Sequence, residues 1–303
     1  SFGIANPYDV MFLYTGNLNV PENIRTIIDT LFVKNAKTPL DKLNLRHRHY
    51  IKSEKYKGEI HFSTGTNTAR SSSNFYALNN TIATLFEIRG VGIAKTSFKR
   101  RIKSSLAVGF SYLKTAYENL NFIFEQIEIA NNYSNDIVLD HKRTTSTEII
   151  KAIDIESNEL IDFSTTMHSS KDSYAISKRD RPLAYIIKKN NYGFIEKLND
   201  VGVNYVELEK DTMIYSGGYK VVEFNNKFKV YEKMKMQKVV TSIEYSNNKF
   251  SKGDILISMN QKRSNLIAEL LEPEAPNSYV SFGIIKTSLN NQLPIYRIKN
   301  FNN

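Results

Sequence analysis

The chain first alternates short apolar runs with longer amphipathic ones and then turns to short alternating stretches. Val10-Met11-Phe12-Leu13-Tyr14 is a continuous apolar run of strand length, as expected of a strand buried on both faces. After Asn17-Leu18-Asn19-Val20, Pro21 suits the first turn of a helix, where its missing N–H costs little. Ile24, Ile27, Ile28 and Leu31 then recur on one helical face. Ile82-Ala83-Thr84-Leu85-Phe86 reads as an interior strand running straight into Glu87, which places that carboxylate at a sheet edge or end, where open α/β sheets put their chemistry. Arg89-Gly90-Val91-Gly92 reads as a tight connection. From Ser97 to Ala130 a rhythm of three or four residues through Ile102, Leu106, Phe110, Leu113, Tyr117, Leu120 and Phe124 predicts a long amphipathic helix, with a break near Asn119 or Asn121. Lys99, Arg100 and Arg101 oppose the helix dipole at its start, so they pair with acids or the helix begins later.

Beyond Asn132 the texture becomes polar. Residues 133–180 are rich in Ser, Thr and Asp and predict an irregular bridge with a few edge strands. From Arg181 onward strand signals prevail, at Leu183–Ile187, Asn204–Leu208, Lys220–Phe224, Phe228–Tyr231, Lys238–Ile243 and Ile255–Met259, with helices over Gly193–Val201 and Gln261–Leu271. The expected organisation is an α/β unit over 1–130 with a mixed sheet, a bridge over 131–180, and a β-rich α+β unit over 181–303.

Composition supports folding: 303 residues, 41% hydrophobic and 24% charged, suffice for two ordinary cores. No apolar run approaches the length of a membrane-spanning helix. There are no cysteines, which excludes disulfides and thiolate metal sites. The net charge of +10 favours anionic partners, but the lysines are interspersed with Asn and Ser and no nucleic-acid module is recognisable. The chain opens Ser1-Phe2-Gly3-Ile4, without Met or a basic-then-apolar leader, as expected of a processed or truncated product.

Several segments, taken together, carry a resemblance. Thr84-Leu85-Phe86-Glu87-Ile88-Arg89-Gly90-Val91-Gly92, followed by Thr96-Ser97-Phe98-Lys99-Arg100-Arg101, resembles the strand-end glutamate motif of the zinc metallocarboxypeptidases. Thr66-Asn67-Thr68-Ala69-Arg70 and Asn74-Phe75-Tyr76-Ala77-Leu78 reinforce it upstream. Arg181-Pro182-Leu183-Ala184-Tyr185-Ile186, the run Ala268 to Gly283 and Leu293-Pro294-Ile295-Tyr296-Arg297-Ile298 resemble the C-terminal extension of bacterial members of that family. The resemblance implies the later half of a metallocarboxypeptidase catalytic domain joined to that extension, a periplasmic or secreted location, and a substrate that is a peptide or peptidoglycan stem peptide.

By that resemblance Glu87 is the general base, taking a proton as water attacks the carbonyl and returning it to the departing amine. On residue pattern alone, Glu87 reads first as a strand-end carboxylate paired with Arg89 or Lys95. Arg70 is the candidate for gripping a terminal carboxylate through its guanidinium fork, the alternative being a loop anchor. Tyr76 is the candidate phenol at the cleft, or else a core residue.

The family's zinc ligands begin with a His and a Glu separated by two residues. His47, His49, His61, His141 and His168 are the five histidines, and none begins such a pattern. His47 and His49 would face one side of a strand and His61 lies nearer the expected cleft, but neither finds a nameable third ligand. The Zn2+ ligands are therefore expected from a preceding segment of the same protein, and the isolated chain is expected to be inactive. The alternative function is noncatalytic binding of cell-envelope material or protein.

Overall fold

The computed structural model describes residues 6–90, 95–189 and 192–300. Ser1 to Ile4, and Val91 and Gly92 of the tight connection, lie outside the described residues. The architecture is mixed α/β with several sheets, and the chain divides into two compact units, one of residues 1–130 and 142–174, the other of 131–141 and 175–303.

The first unit is built on β1 (Val10–Tyr14), all five of whose residues are buried. β2 (His47–His49) pairs parallel to it and β5 (Thr84–Ile88) antiparallel, giving a mixed three-stranded sheet in the order β2-β1-β5. Because β1 is central, its side chains are covered on both faces and the run has no polar alternation. β5 is an edge strand with Leu85 38% exposed, so the interior strand expected there is corrected. Pro21 immediately precedes α1 (Glu22–Ile27), which continues through a π-helical turn (Ile28–Val33) into α2 (Lys34–Lys42). Ile24, Ile27 and Ile28 are buried, as their spacing requires. The long helix is two, α4 (Phe98–Glu118) and α5 (Leu120–Asn131), interrupted at Asn119; the short α3 (Ser72–Ala77) lies earlier.

A second sheet joins β3 (Ile51–Tyr56), β4 (Glu59–Thr64), β7 (Leu160–Arg179) and β6 (Ile137–Ile153) in the order β3-β4-β7-β6. Where sequence texture predicts an irregular bridge, residues 137–153 and 160–179 are thus two long strands. Polar side chains alternating on a solvated sheet lack the apolar signal by which strands are read, which is the reason for the difference.

The second unit is β-rich. Its six-stranded sheet runs β11 (Met234–Phe250), β10 (Thr212–Tyr231), β13 (Gln292–Ile298), β8 (Ala184–Ile187), β12 (Ile255–Ser258) and β9 (Val206–Glu207), with helices α6 (Tyr192–Asp200) and α7 (Ser264–Leu271). One core gathers Tyr185, Ile187, Leu198, Tyr219, Ile257, Ile267 and Ile295. Within it Glu272, fully buried, accepts hydrogen bonds from the Tyr185 and Tyr219 hydroxyls at 2.5 and 2.8 Å and from Arg179 Nη1 at 2.6 Å. Arg297 Nε lies 3.4 Å from the same carboxylate. A buried carboxylate requires this density of donors.

Candidate active site

Strand register sets the placement of Glu87. It pairs with Met11 across β1, and Met11 pairs in turn with Arg48 of β2, so the three side chains share one face of the sheet. Glu87 is half-buried. Its negative charge, second to burial, pushes the Tyr50 phenol above its ordinary pKa, so the carboxylate lies within electrostatic reach of that hydroxyl. Arg89, one of the two cations weighed as its partner, donates from Nη1 to the Asn6 carbonyl at 2.6 Å.

The loop carrying Arg70 is anchored at the other end of β1. Thr15 bridges Thr66, and two buried asparagines from the motif segments fasten the junction. Asn74 Oδ1 accepts from the Thr15 hydroxyl and from the Gly16 and Asn17 amides at 3.0 and 3.3 Å, while its Nδ2 donates to the carbonyls of Thr66 and Thr68. Asn67 Nδ2 donates to the Gly16 carbonyl at 2.6 Å. Thr15 and Met11 are four residues apart on an extended chain, about 13 Å. The structure therefore ties the Arg70 loop to one end of β1 and sets Glu87 toward the other. Arg70 itself is exposed. Tyr76 is 55% exposed, its ring edge-on to Phe75 at 5.7 Å. Asn67 and Asn74, the residues of these motifs that organise the loop, were not singled out by sequence; an isolated Asn in a polar run carries no signal of burial.

A cavity of about 210 Å³ is lined among others by Phe12, Tyr14, Arg48, His49, Glu148 and Lys171. The Tyr14 hydroxyl and His49 Nε2 are 3.4 Å apart, with the rings edge-on. Burial, then Lys37 and Lys171, lowers His49 to about 4, so the imidazole is neutral at pH 7. Burial, then Asp29 and Asp172, raises the Tyr14 phenol well above its usual range. Lys171 Nζ is 2.5 Å from Asp29, and Arg48 Nη2 is 3.6 Å from Glu148. His49 Nδ1 and Arg48 Nε are buried without a hydrogen-bond partner. This pocket pairs a neutral imidazole with a phenol that stays protonated; its cations are already engaged by carboxylates.

Of the other histidines, His47 is tied to a carboxylate and His61 meets His168. His47 and His49 do face one side of β2, but His47 Nε2 is bound to Asp41 at 2.9 Å. His61 Nδ1 lies 3.1 Å from His168 Nε2 across the β4–β7 pairing. Among the described residues no group of three or more His, Cys, Asp or Glu side chains is arranged to hold a metal ion. Nor, among them, is any helix long and apolar enough to cross a membrane.

Carboxypeptidase 2 of Trichophyton equinum is 29% identical over 301 residues, covering 96% of this chain and 55% of that protein. Carboxypeptidase 2 of Trichophyton tonsurans is 28% identical over 296 residues with the same coverage. Probable carboxypeptidase 2 of Arthroderma benhamiae is 28% identical over 274 residues, covering 87% of this chain and 51% of its own. The chain is a distant relative of fungal carboxypeptidases. The chain spans about half the length of the carboxypeptidases it matches. These relatives are fungal, where the sequence motifs point to bacterial members; carboxypeptidase kinship is what the two have in common. No family model matches the chain, and no solved structure matches it.

Proposed function

We propose that this chain is part of a zinc-dependent carboxypeptidase, in which Glu87 is the general base and a preceding segment of the same protein supplies the metal ligands. The observation that carries the reading is the carboxypeptidase kinship over 96% of the chain, which spans only 55% of the relative. The residues in hand do not form a zinc site, since no ligand group exists among the described residues. Zinc chemistry is accordingly assigned to ligands outside this chain.

Within the chain, Glu87 would accept a proton from the attacking water and deliver it to the leaving amine. Its place on an edge strand leaves one flank open to a substrate backbone or to a further strand. Arg70 and Tyr76 are the proposed contacts to the substrate terminus, Arg70 on the loop that Asn67 and Asn74 fasten and Tyr76 on the α3 helix that follows it. The outward face of α4 supports the reading that more polypeptide belongs here. Ile102, Leu106, Phe110, Leu113 and Tyr117 are 44–84% exposed, while the small and polar Ser104 and Thr115 are buried. The substrate class is a peptide or peptidoglycan stem peptide cut from its C-terminal end, in a periplasmic or secreted setting.

The experiment is hydrolysis of C-terminally extended peptides by the protein with and without the preceding segment, each with chelator and with zinc restored. Activity confined to the longer protein, lost on chelation and regained with zinc, is expected. Full activity of the 303 residues alone overturns the division of labour. A longer protein that is inert with zinc, yet retained on anionic envelope material, favours noncatalytic binding instead.

A further inference from the structure

The far end of the β10–β11 hairpin is built unlike the rest of the second unit. Between Lys227 and Lys238 five lysines stand against one glutamate, a net +4, and they alternate with apolar residues. The outcome of this alternation is set by register. Lys229 faces Met236 and Tyr231 faces Met234. On that side Met236 is buried and Tyr231 packs edge-on against Phe282 at 6.4 Å, so the hairpin is held to its own unit. Gln237 adds hydrogen bonds to the carbonyls of Val280 and Ile285. Among the described residues the side bearing Val230 and Lys235 has no such cover, and Val230 is 68% exposed.

Two local irregularities present the apolar residues outward. The register slips between Asn225 and Lys229, a bulge that re-aims Phe228. The Phe228 ring lies within 5.3 Å of Lys229 Nζ and 5.8 Å of Lys238 Nζ and remains 44% exposed. The reversal itself uses Glu232 and Lys233, at φ 46° and 69°. A two-residue hairpin turn of this hand favours Asn and Gly; charged residues sit there at a conformational cost. Charge at the tip is thus kept where a merely structural turn would carry glycine.

We propose that this hairpin tip docks on an anionic lipid bilayer surface. A soluble polyanion would engage the lysines and leave Phe228 and Val230 in water. A bilayer takes both, with ammonium groups among the anionic headgroups and apolar side chains at the acyl boundary.

The test is cosedimentation of the whole chain with vesicles of mixed phosphatidylcholine and phosphatidylglycerol, and with phosphatidylcholine alone. Binding to the mixed vesicles only, weakening as salt shortens the screening length, is expected. Lys229→Gln with Lys235→Gln should weaken it about 30-fold, at roughly fivefold per lysine. Phe228→Ser with Val230→Ser should weaken it at least about tenfold while leaving heparin binding unchanged. Should that pair lower the unfolding midpoint, Val230→Ser alone carries the same test from the more exposed site. Absence of binding to the mixed vesicles, equal binding to neutral ones, or an apolar variant that retains full affinity each overturns the proposal. The last outcome, with tight heparin binding, would assign the tip to a polyanion.

Discussion

Asp9 and Arg100 are joined by two hydrogen bonds, 2.6 Å to Nε and 2.8 Å to Nη2, which fasten the residue before β1 to the first turn of α4. Asp9 is 2% exposed and also accepts the Arg46 amide at 2.9 Å. This resolves the unfavourable cations at the start of α4: Arg100 is paired with an acid, and Arg101 donates to the Gly90 carbonyl. Removing the cation strands a buried carboxylate. Arg100→Met should cost about 1–3 kcal/mol, below the full value for a buried pair because the arginine is half in solvent. Urea unfolding at unchanged m-value checks it.

Glu87→Gln keeps shape and removes charge. In the longer protein, turnover should fall by roughly 10²–10⁴ with zinc content unchanged; near-normal turnover removes Glu87 from the base role. The isolated chain offers a separate reading. Loss of the Glu87 charge should lower the Tyr50 pKa towards its ordinary value, seen as earlier tyrosinate absorbance in the difference titration. An unchanged titration would mean that no charge on Glu87 is felt at Tyr50.

His49 predicts an acid limb of stability. Its folded pKa of about 4 lies below the unfolded value of about 6.5, so the unfolded chain binds the proton more readily. The contribution is complete above the unfolded value and is lost as pH falls from there towards 4, amounting to about 3 kcal/mol. His49→Gln should flatten the stability profile across that window, measured by urea midpoints at a series of pH values.

Glu272 is the keystone of the second unit's core. Glu272→Gln removes the carboxylate charge that Arg179 and Arg297 share, leaving Arg179 to Glu274 and Arg297 to Asp180, and should destabilise by about 2–4 kcal/mol. Tyr185→Phe removes one neutral donor and should cost less, about 1–3 kcal/mol. Thermal unfolding of the two variants tests the order.

Much of this fold is legible from apolar spacing. The run at Val10–Tyr14 identifies a central strand because burial on both faces demands continuous hydrophobicity. The rhythm through Ile102 and Phe110 identifies α4, and Asn119 marks its end. Periodicity, however, reports that a face exists and not which way it looks, and here Phe110 and Tyr117 look outward. The long strands over 137–179 escaped because Ser, Thr and Lys on a solvated sheet leave no apolar trace. Of the proposed site, Glu87 is legible only through its motif. The Asn74 clamp and the Tyr14–His49 contact join residues far apart in sequence, and pairing of that kind is created by the fold.

Because β6 and β7 each pass from one unit into the other, the first unit draws on chain as late as residue 174 and the second on chain as early as 131. A ribosome making this protein cannot release a finished first unit before starting the second. Residues 1–130 must wait for about forty more to emerge before their second sheet can close, at the usual pace of about 5–20 residues per second. Biogenesis of the two units is thereby interlocked: a cut at any one bond between 131 and 174 truncates both.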